Sequence, residues 1–243
     1  PPPQEVAPGV WMIAGGIPPN RQPDGNSVIF EAPEGMVVVD TGRHAWHREA
    51  ILSLARLRKK DIVAIVNTHW HLDHVSGNPD LRAAHPGLRV HASDAIVGAL
   101  AGFLPASAKD SAAHLDDPKI PEEMRDDLRG DLQTIQNGTA LKPDVVIADS
   151  GAITLGGLAL QLKLAPDAVT AGDVWLYEET SRVAALGDLV TLPAPFLDTA
   201  CPLGWKAALA QVADTPFTVA VPGHGAPMTR ARFLLYQAAF EAF

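Results

Sequence analysis

The sequence predicts an α+β fold, two mixed sheets stacked face to face with helices on the outer faces. Three observations predict it. Strand-like runs gather in two halves of the chain, each closed by helical segments, which is how two sheets with external helices read along a sequence. No linker-like stretch or repeat divides the 243 residues, so one domain over 1–243 is the simplest organisation. With 47% hydrophobic and 19% charged residues, the composition suits a globular chain able to bury a substantial core.

The elements follow in order. Val10–Ile13 and Ser27–Phe30 read as strands, and Ala32-Pro33-Glu34-Gly35 supplies a turn before Val37-Val38-Val39. From His47 to Lys60 the apolar Ile51, Leu54 and Leu57 recur at helical spacing, and the cluster Arg56 to Lys60 suits the negative end of that helix. Ile62–Val66 is a short buried strand, and Leu88-Arg89-Val90 another. A helical insert spans about 93–136, with Ile96, Leu100, Phe103 and Leu104 as a stripe that either packs on the domain or lids a site. Val145–Ile147, Ala152–Leu155, Leu158–Leu162, Val174–Tyr177 and Val183–Leu186 read as strands, with Gly156-Gly157 as a tight hairpin. Trp205–Val212 and Thr229–Phe240 read as helices flanking the strand Thr218–Val221.

The chemistry concentrates after the Ile62–Val66 strand, in Asn67-Thr68-His69-Trp70-His71-Leu72-Asp73-His74. Imidazole nitrogens and a carboxylate are the donors that zinc and similar borderline cations take. By composition, this spacing arises by chance roughly once in a thousand such chains. Three imidazoles this close would repel one another if protonated, and a metal keeps them neutral.

His69-x-His71-x-Asp73-His74 resembles the signature of the metallo-β-lactamase superfamily. Further segments match it in order: Val37–Gly42 resembles the strand and turn that buttress the histidine loop, Ala184–Leu189 the strand carrying a bridging aspartate, and Val221–Gly225 the last histidine loop. The resemblance implies a four-layered αββα sandwich and one or two metal ions at its edge. Its implied ligands are His69 and His71 for a first ion, Asp73, His74 and His224 for a second, and Asp188 bridging both. One piece departs from the pattern. Val169 stands where a third histidine of the first site is expected, in Pro166–Asp173, so the second site is the more complete. Asp167, Cys201 and His114 are the available substitutes for the missing donor. Zn²⁺ is the expected ion, with iron or manganese as alternatives.

The expected function is a metal-dependent hydrolase attacking an ester, lactone, thioester or β-lactam carbonyl with hydroxide formed at the metal. Asp73 is the expected catalytic residue, orienting the nucleophile and carrying a proton to the leaving group. Gly187-Asp188 points to the branch resembling thioesterases, lactonases and phosphodiesterases, because β-lactamases of the family usually place cysteine or serine there. Lactonases of the family use a tyrosine near the bridging aspartate, and Leu189–Phe196 holds none. The Val169 substitution motivates two alternatives: a degenerate member that binds without efficient turnover, and an iron-dependent sulfur dioxygenase.

Other residues carry weaker signals. His44 and His47 fall near the same sheet edge, while His85 and His91 read as structural. Pro193–Leu197 is either an apolar wall beside Asp188 or a loop packed on the core. A net charge of −9 without a broad basic surface disfavours nucleic acid, and no apolar run approaches the ~20 residues that span a bilayer. A small-molecule substrate is the expected partner. The single Cys201 leaves the redox compartment open, and the proline-rich start resembles what remains after a secretory signal is removed. A periplasmic or secreted location is therefore expected, with the cytoplasm as the alternative.

Overall fold

In the computed structural model, which describes residues 2–242, the strand-like runs pair into two sheets. The first half of the chain gives β1 (Gln4–Ala7), β2 (Val10–Ile13), β3 (Ser27–Ala32), β4 (Gly35–Val39), α1 (Ala45–Arg58), β5 (Ile62–Val66), α2 (Leu72–Val75), α3 (Asn78–Ala84), β6 (Arg89–Ala92), α4 (Ala95–Ala101), α5 (Phe103–His114), α6 (Glu122–Gln136) and β7 (Val145–Val146). The second half gives β8 (Gly151–Leu155), β9 (Leu158–Ala165), β10 (Asp173–Glu178), β11 (Val183–Thr191), α7 (Pro202–Asp214), β12 (Val219–His224), β13 (Met228–Thr229) and α8 (Arg230–Ala242).

Strands β1 to β7 form one sheet in chain order, antiparallel up to β4 and parallel from β4 to β7. The other runs β13-β12-β11-β10-β9-β8, with β11 and β12 parallel. Period-two alternation explains the layering. Val37 and Val39 face the inter-sheet core with Ala64, Leu176 and Val221, whereas Met36 and Val38 face α1 through Ile51 and Leu54. On the far side, Trp175, Leu186 and Ala220 of the second sheet bury Trp205 and Leu209 of α7 and Phe233 of α8. The result is the four-layered αββα sandwich.

The details differ from the sequence reading where tertiary contacts decide. Leu57 is 75% exposed, and the buried face of α1 is instead His47, Ile51, Leu54 and Ala55. The helix closes at Lys59, whose left-handed φ of 54° lets its amide reach Ala55 and Arg56 carbonyls. The 93–136 stretch is three helices, broken at Gly102 and after His114. Its stripe divides: Ile96 and Leu104 pack on Trp70 and Leu72 of the histidine loop, while Phe103 stays 40% exposed. Gly156 and Gly157 do make the hairpin, at φ of 55° and 80°.

Parallel pairing positions the site. β4 lies beside β5 and β11 beside β12, so residues after Val39 and Val66 share one edge with Asp188 and His224. Asn26 ties the two sheets together there: its amide side chain donates to the carbonyls of Pro222 (2.9 Å) and Gly225 (2.9 Å). The register shift at Gly187, whose φ is +52°, bends β11 where Asp188 must project. A Cβ on Gly187 would lie 2.5 Å from the Thr68 hydroxyl, so the bend also makes room for the histidine loop.

Candidate metal centre

Asp40, at the end of β4, sets the tautomer of two histidines of the loop, His69 and His74. Its carboxylate accepts from the Thr68 amide (2.8 Å), the Thr68 hydroxyl (2.7 Å) and His74 Nδ1 (2.8 Å). Because the Thr68 hydroxyl donates to Asp40, its oxygen accepts from His69 Nδ1 at 2.9 Å. Both imidazoles therefore carry a proton on Nδ1 and present Nε2 to the site.

Those nitrogens face carboxylates. His74 Nε2 lies 3.2 Å from Asp188 Oδ1 and 3.7 Å from Asp73 Oδ2, and His69 Nε2 lies 3.7 Å from Asp188 Oδ2. His224 Nε2 completes the ring, 3.1 Å from Asp73 Oδ2 and 3.5 Å from Asp188 Oδ1. His69 Nε2, His74 Nε2 and Asp188 Oδ1 are all buried without a hydrogen-bond partner. Lone pair facing lone pair in a buried place is unfavourable unless a cation sits between them. Two donor groups have the geometry to hold one: Asp73–His74–His224 and His69–His74–Asp188, each with its donor atoms within 4.8 Å. Glycines shape the cradle, since a Cβ on Gly223 would sit 2.0 Å from Asp188 Oδ1 and one on Gly25 would strike the His74 ring. The residues present thus fit a divalent ion.

The local field agrees. Burial works against a charge on His74, yet Asp188, Asp73 and Asp40 outweigh it and hold its pKa well above the ordinary value, so Nε2 is bare only when a metal ion takes the place of its proton. Burial would raise Asp188, but His74, His224 and His69 bring it far below the usual carboxylate range. His69 is lowered well below an ordinary imidazole by burial and by His74 and His71. The cluster attracts positive charge.

His71 stands apart from both donor groups. The Thr199 hydroxyl donates to the Val169 carbonyl (2.8 Å), so its oxygen accepts from His71 Nε2 at 3.1 Å. Val169 itself is 1% exposed, its side chain in the apolar cluster under α7. The substitutes named for its missing donor do not come in: Asp167, Cys201 and His114 are all exposed and in neither group. Each group thus offers three donors, and His74 belongs to both.

Arg43, which the sequence reading did not single out, reaches the same centre. Its guanidinium lies 3.8 Å from Asp73 Oδ1 and pairs with Asp131 of α6, and although burial disfavours its charge, Asp131 and Asp73 raise its pKa. Asp24 accepts from the amides of Arg43 (2.6 Å) and His44 (3.1 Å) and from His44 Nδ1 (2.8 Å), and His44 Nε2 meets Asp127 of α6 at 3.2 Å. His44 is therefore a bolt between α6 and the domain, not a substrate contact. His47, fully buried, pairs with Ser27 at 2.8 Å, and burial takes its pKa down to about 4.

A chamber of about 330 Å³ opens over Asp73, Asp188 and His224. Its walls include Trp70, Phe103, Leu192 and Phe196, so the Pro193–Leu197 segment is a wall of the site. Tyr236 of α8 reaches the end of β11, its hydroxyl accepting from the Thr191 amide at 3.4 Å, and does not line the chamber.

Asp173 offers a prediction about stability. Burial, with the Asp188 charge adding to it, raises its pKa to about 7 despite the Thr170 amide bond. The folded pKa exceeds the unfolded one, so its contribution favours the fold at low pH and is lost as pH rises from about 4 through 7. Three units correspond to at most about 4 kcal/mol. Asp173→Asn, which keeps an acceptor for the Thr170 amide, is expected to gain about 1–3 kcal/mol at pH 8 in EDTA and nothing at pH 4. Denaturant titrations at both pH values check this, and a gain equal at both would contradict it.

Known proteins share the fold that carries this centre. The model of the metallo-β-lactamase superfamily matches residues 21–224. The chain belongs to that superfamily. Among curated members, it is 27% identical over 224 residues to a linear primary-alkylsulfatase of a Pseudomonas species, a match covering 83% of this chain and 41% of that one. It is 48% identical over 63 residues to the hydroxyacylglutathione hydrolase of Gloeobacter violaceus, covering 26% of this chain and 23% of that protein. The chain thus spans well under half of these relatives. A metallo-β-lactamase from Pontibacter korlensis superposes with a TM-score of 0.71 at 20% identity over 99% of both chains, which shows the shared fold.

Proposed function

We propose that this superfamily member is a zinc-dependent hydrolase of a small ester, thioester, lactone or β-lactam. The observation that carries the reading is the Nε2 of His69 and of His74, both aimed at Asp188 on the chamber floor. Asp73, His74, His224 and Asp188 would hold the ion. When bound, a divalent cation lowers the pKa of coordinated water from 15.7 to about 7 and polarises the scissile carbonyl.

The chain's own residues do the rest. Asp73 Oδ2 faces His224 and His74, while its Oδ1 faces only Arg43 across 3.8 Å. Oδ1 is thus the atom placed to accept a proton from the attacking water and pass it to the leaving group. Burial would raise Asp73, but His74, the His224 hydrogen bond and Arg43 hold it well below the usual range, so its carboxylate is ionised. Trp70, Leu192 and Phe196 give the carbonyl an apolar flank.

A second reading, cleavage of a sulfate ester, is favoured by Arg43 in the chamber wall and by the alkylsulfatase relative. The test is a panel of p-nitrophenyl acetate, a thioester, a lactone, nitrocefin and an alkyl sulfate, assayed with zinc and after chelation. Zinc-dependent turnover of a carbonyl substrate supports the first reading, and turnover of the sulfate alone supports the second. No turnover of any of them contradicts both.

A further inference from the structure

The chamber over the metal centre does not end at its own walls. A second, open cavity of about 560 Å³ lies between α5 and α6. The two share five lining residues, Gln22, Phe103, Ser107, Ser111 and Phe196, so they adjoin along one face of α5. On α5 the positions 103, 107, 111 and 114 fall on one helical face. Phe103 stands at its inner end beside the metal centre and His114 at its outer end, about 16 Å away at 1.5 Å per residue.

The junction is built rather than accidental. Phe103 stacks near Trp70 with ring centres 5.3 Å apart, and Phe196 meets His71 edge-on at 5.3 Å. The histidine loop therefore fixes both aromatic sides of the neck. Between them α5 presents the small side chains of Ser107 and Ser111 to both cavities. Farther out, Ala106, Ile120, Met124 and Leu128 give the groove an apolar strip, edged by Gln22 and His114. Gln22 crosses to the far wall, its side-chain amide donating to Met124 Sδ at 3.4 Å. The rim carries Asp110 and Asp198, in a chain of net charge −9.

We infer that the groove between α5 and α6 binds the linear apolar acyl chain of the substrate, with the scissile carbonyl at Asp73 and Asp188 and an uncharged chain end beneath Asp110 and Asp198. This rests on the carbonyl-hydrolase reading and narrows it to long-chain esters or thioesters. The occupant follows from adjacency to the centre, from an aromatic neck that admits a chain, and from an acidic rim that repels a terminal carboxylate. The helical insert thereby acts as the specificity element.

The experiment has two arms. In the first, p-nitrophenyl esters from acetate to decanoate are hydrolysed by the zinc-loaded protein and by Ala106→Trp. Position 106 is exposed on α5, so the indole fills the groove without entering the core. Each buried methylene contributes a factor of about three to four, so kcat/KM should rise at least about 100-fold from acetate to decanoate. In Ala106→Trp the decanoate-to-acetate ratio should fall at least tenfold, while Ala106→Ser keeps it. In the second arm the metal-stripped protein is titrated with N-phenyl-1-naphthylamine, whose emission rises in apolar surroundings. Decanamide should displace it, acetamide should not, and Ala106→Trp should not bind it.

A flat ester series, or probe binding that ignores Ala106→Trp, overturns the inference, as does a preference for esters with a bulky ring confined to the inner chamber. If no ester is cleaved yet the probe binds and decanamide displaces it, the chain-binding groove stands and the hydrolase reading falls.

Discussion

Asp188→Ala is expected to lower kcat/KM by about 10³-fold or more and to abolish tight metal binding. Asp188 is the one carboxylate that approaches all three imidazoles: His69 at 3.7 Å, His74 at 3.2 Å and His224 at 3.5 Å. Alanine leaves His69 Nε2 with no counterpart and opens a void against Gly223. Zinc should raise the melting temperature of the wild-type protein and leave that of the variant unchanged, because only an intact centre binds the ion to the folded state. Retention of activity within tenfold of wild type would show that Asp188 does not belong to the centre.

Asp131→Ala is expected to cost about 3–5 kcal/mol of stability, lowering the melting temperature by roughly 10 °C. The reason is what it leaves behind. Arg43 is buried with Asp131 as its bonded partner, and only Asp73 at 3.8 Å and Asp24 share its charge. Losing Asp131 strands a guanidinium beside a metal ligand and removes one of the two acids, with Asp127, that fasten α6. Replacing the pair together, Arg43→Met with Asp131→Leu, should recover most of the loss, since an apolar pair carries no stranded charge. Urea titration of the three variants measures this. A single-variant loss under about 1 kcal/mol would mean that the pair is solvated and does not hold the insert.

The centre was legible where its donors are contiguous and opaque where they are assembled. His69 to His74 declare themselves by spacing alone, because a turn after a strand brings them together. Asp188 and His224 needed the family resemblance, since only the parallel pairing of β11 and β12 brings them to the edge occupied by β5. Val169 was visible as a gap, but not that its carbonyl would tether His71 through Thr199. The acids of α6 were least legible. In Glu122–Gln136 a run rich in charge reads as a solvated helix, yet Asp127 and Asp131, one turn apart, point inward. Burial of an acid depends on cations elsewhere in the chain, here Arg21, Arg43 and His44. Leu57 failed for the opposite reason: helical spacing gave its period, but the width of the buried face was set by the sheet beneath it.

The fold places four donors from three segments around one point, α2, β11 and β12, and the chemistry depends on a cation there. The most direct test is metal analysis by mass spectrometry of protein purified without chelator, paired with anomalous diffraction at the zinc edge. The account predicts one tightly held ion per chain, bound by Asp73, His74, His224 and Asp188. A chain that takes up no ion when zinc is supplied, or holds it away from these side chains, would contradict it.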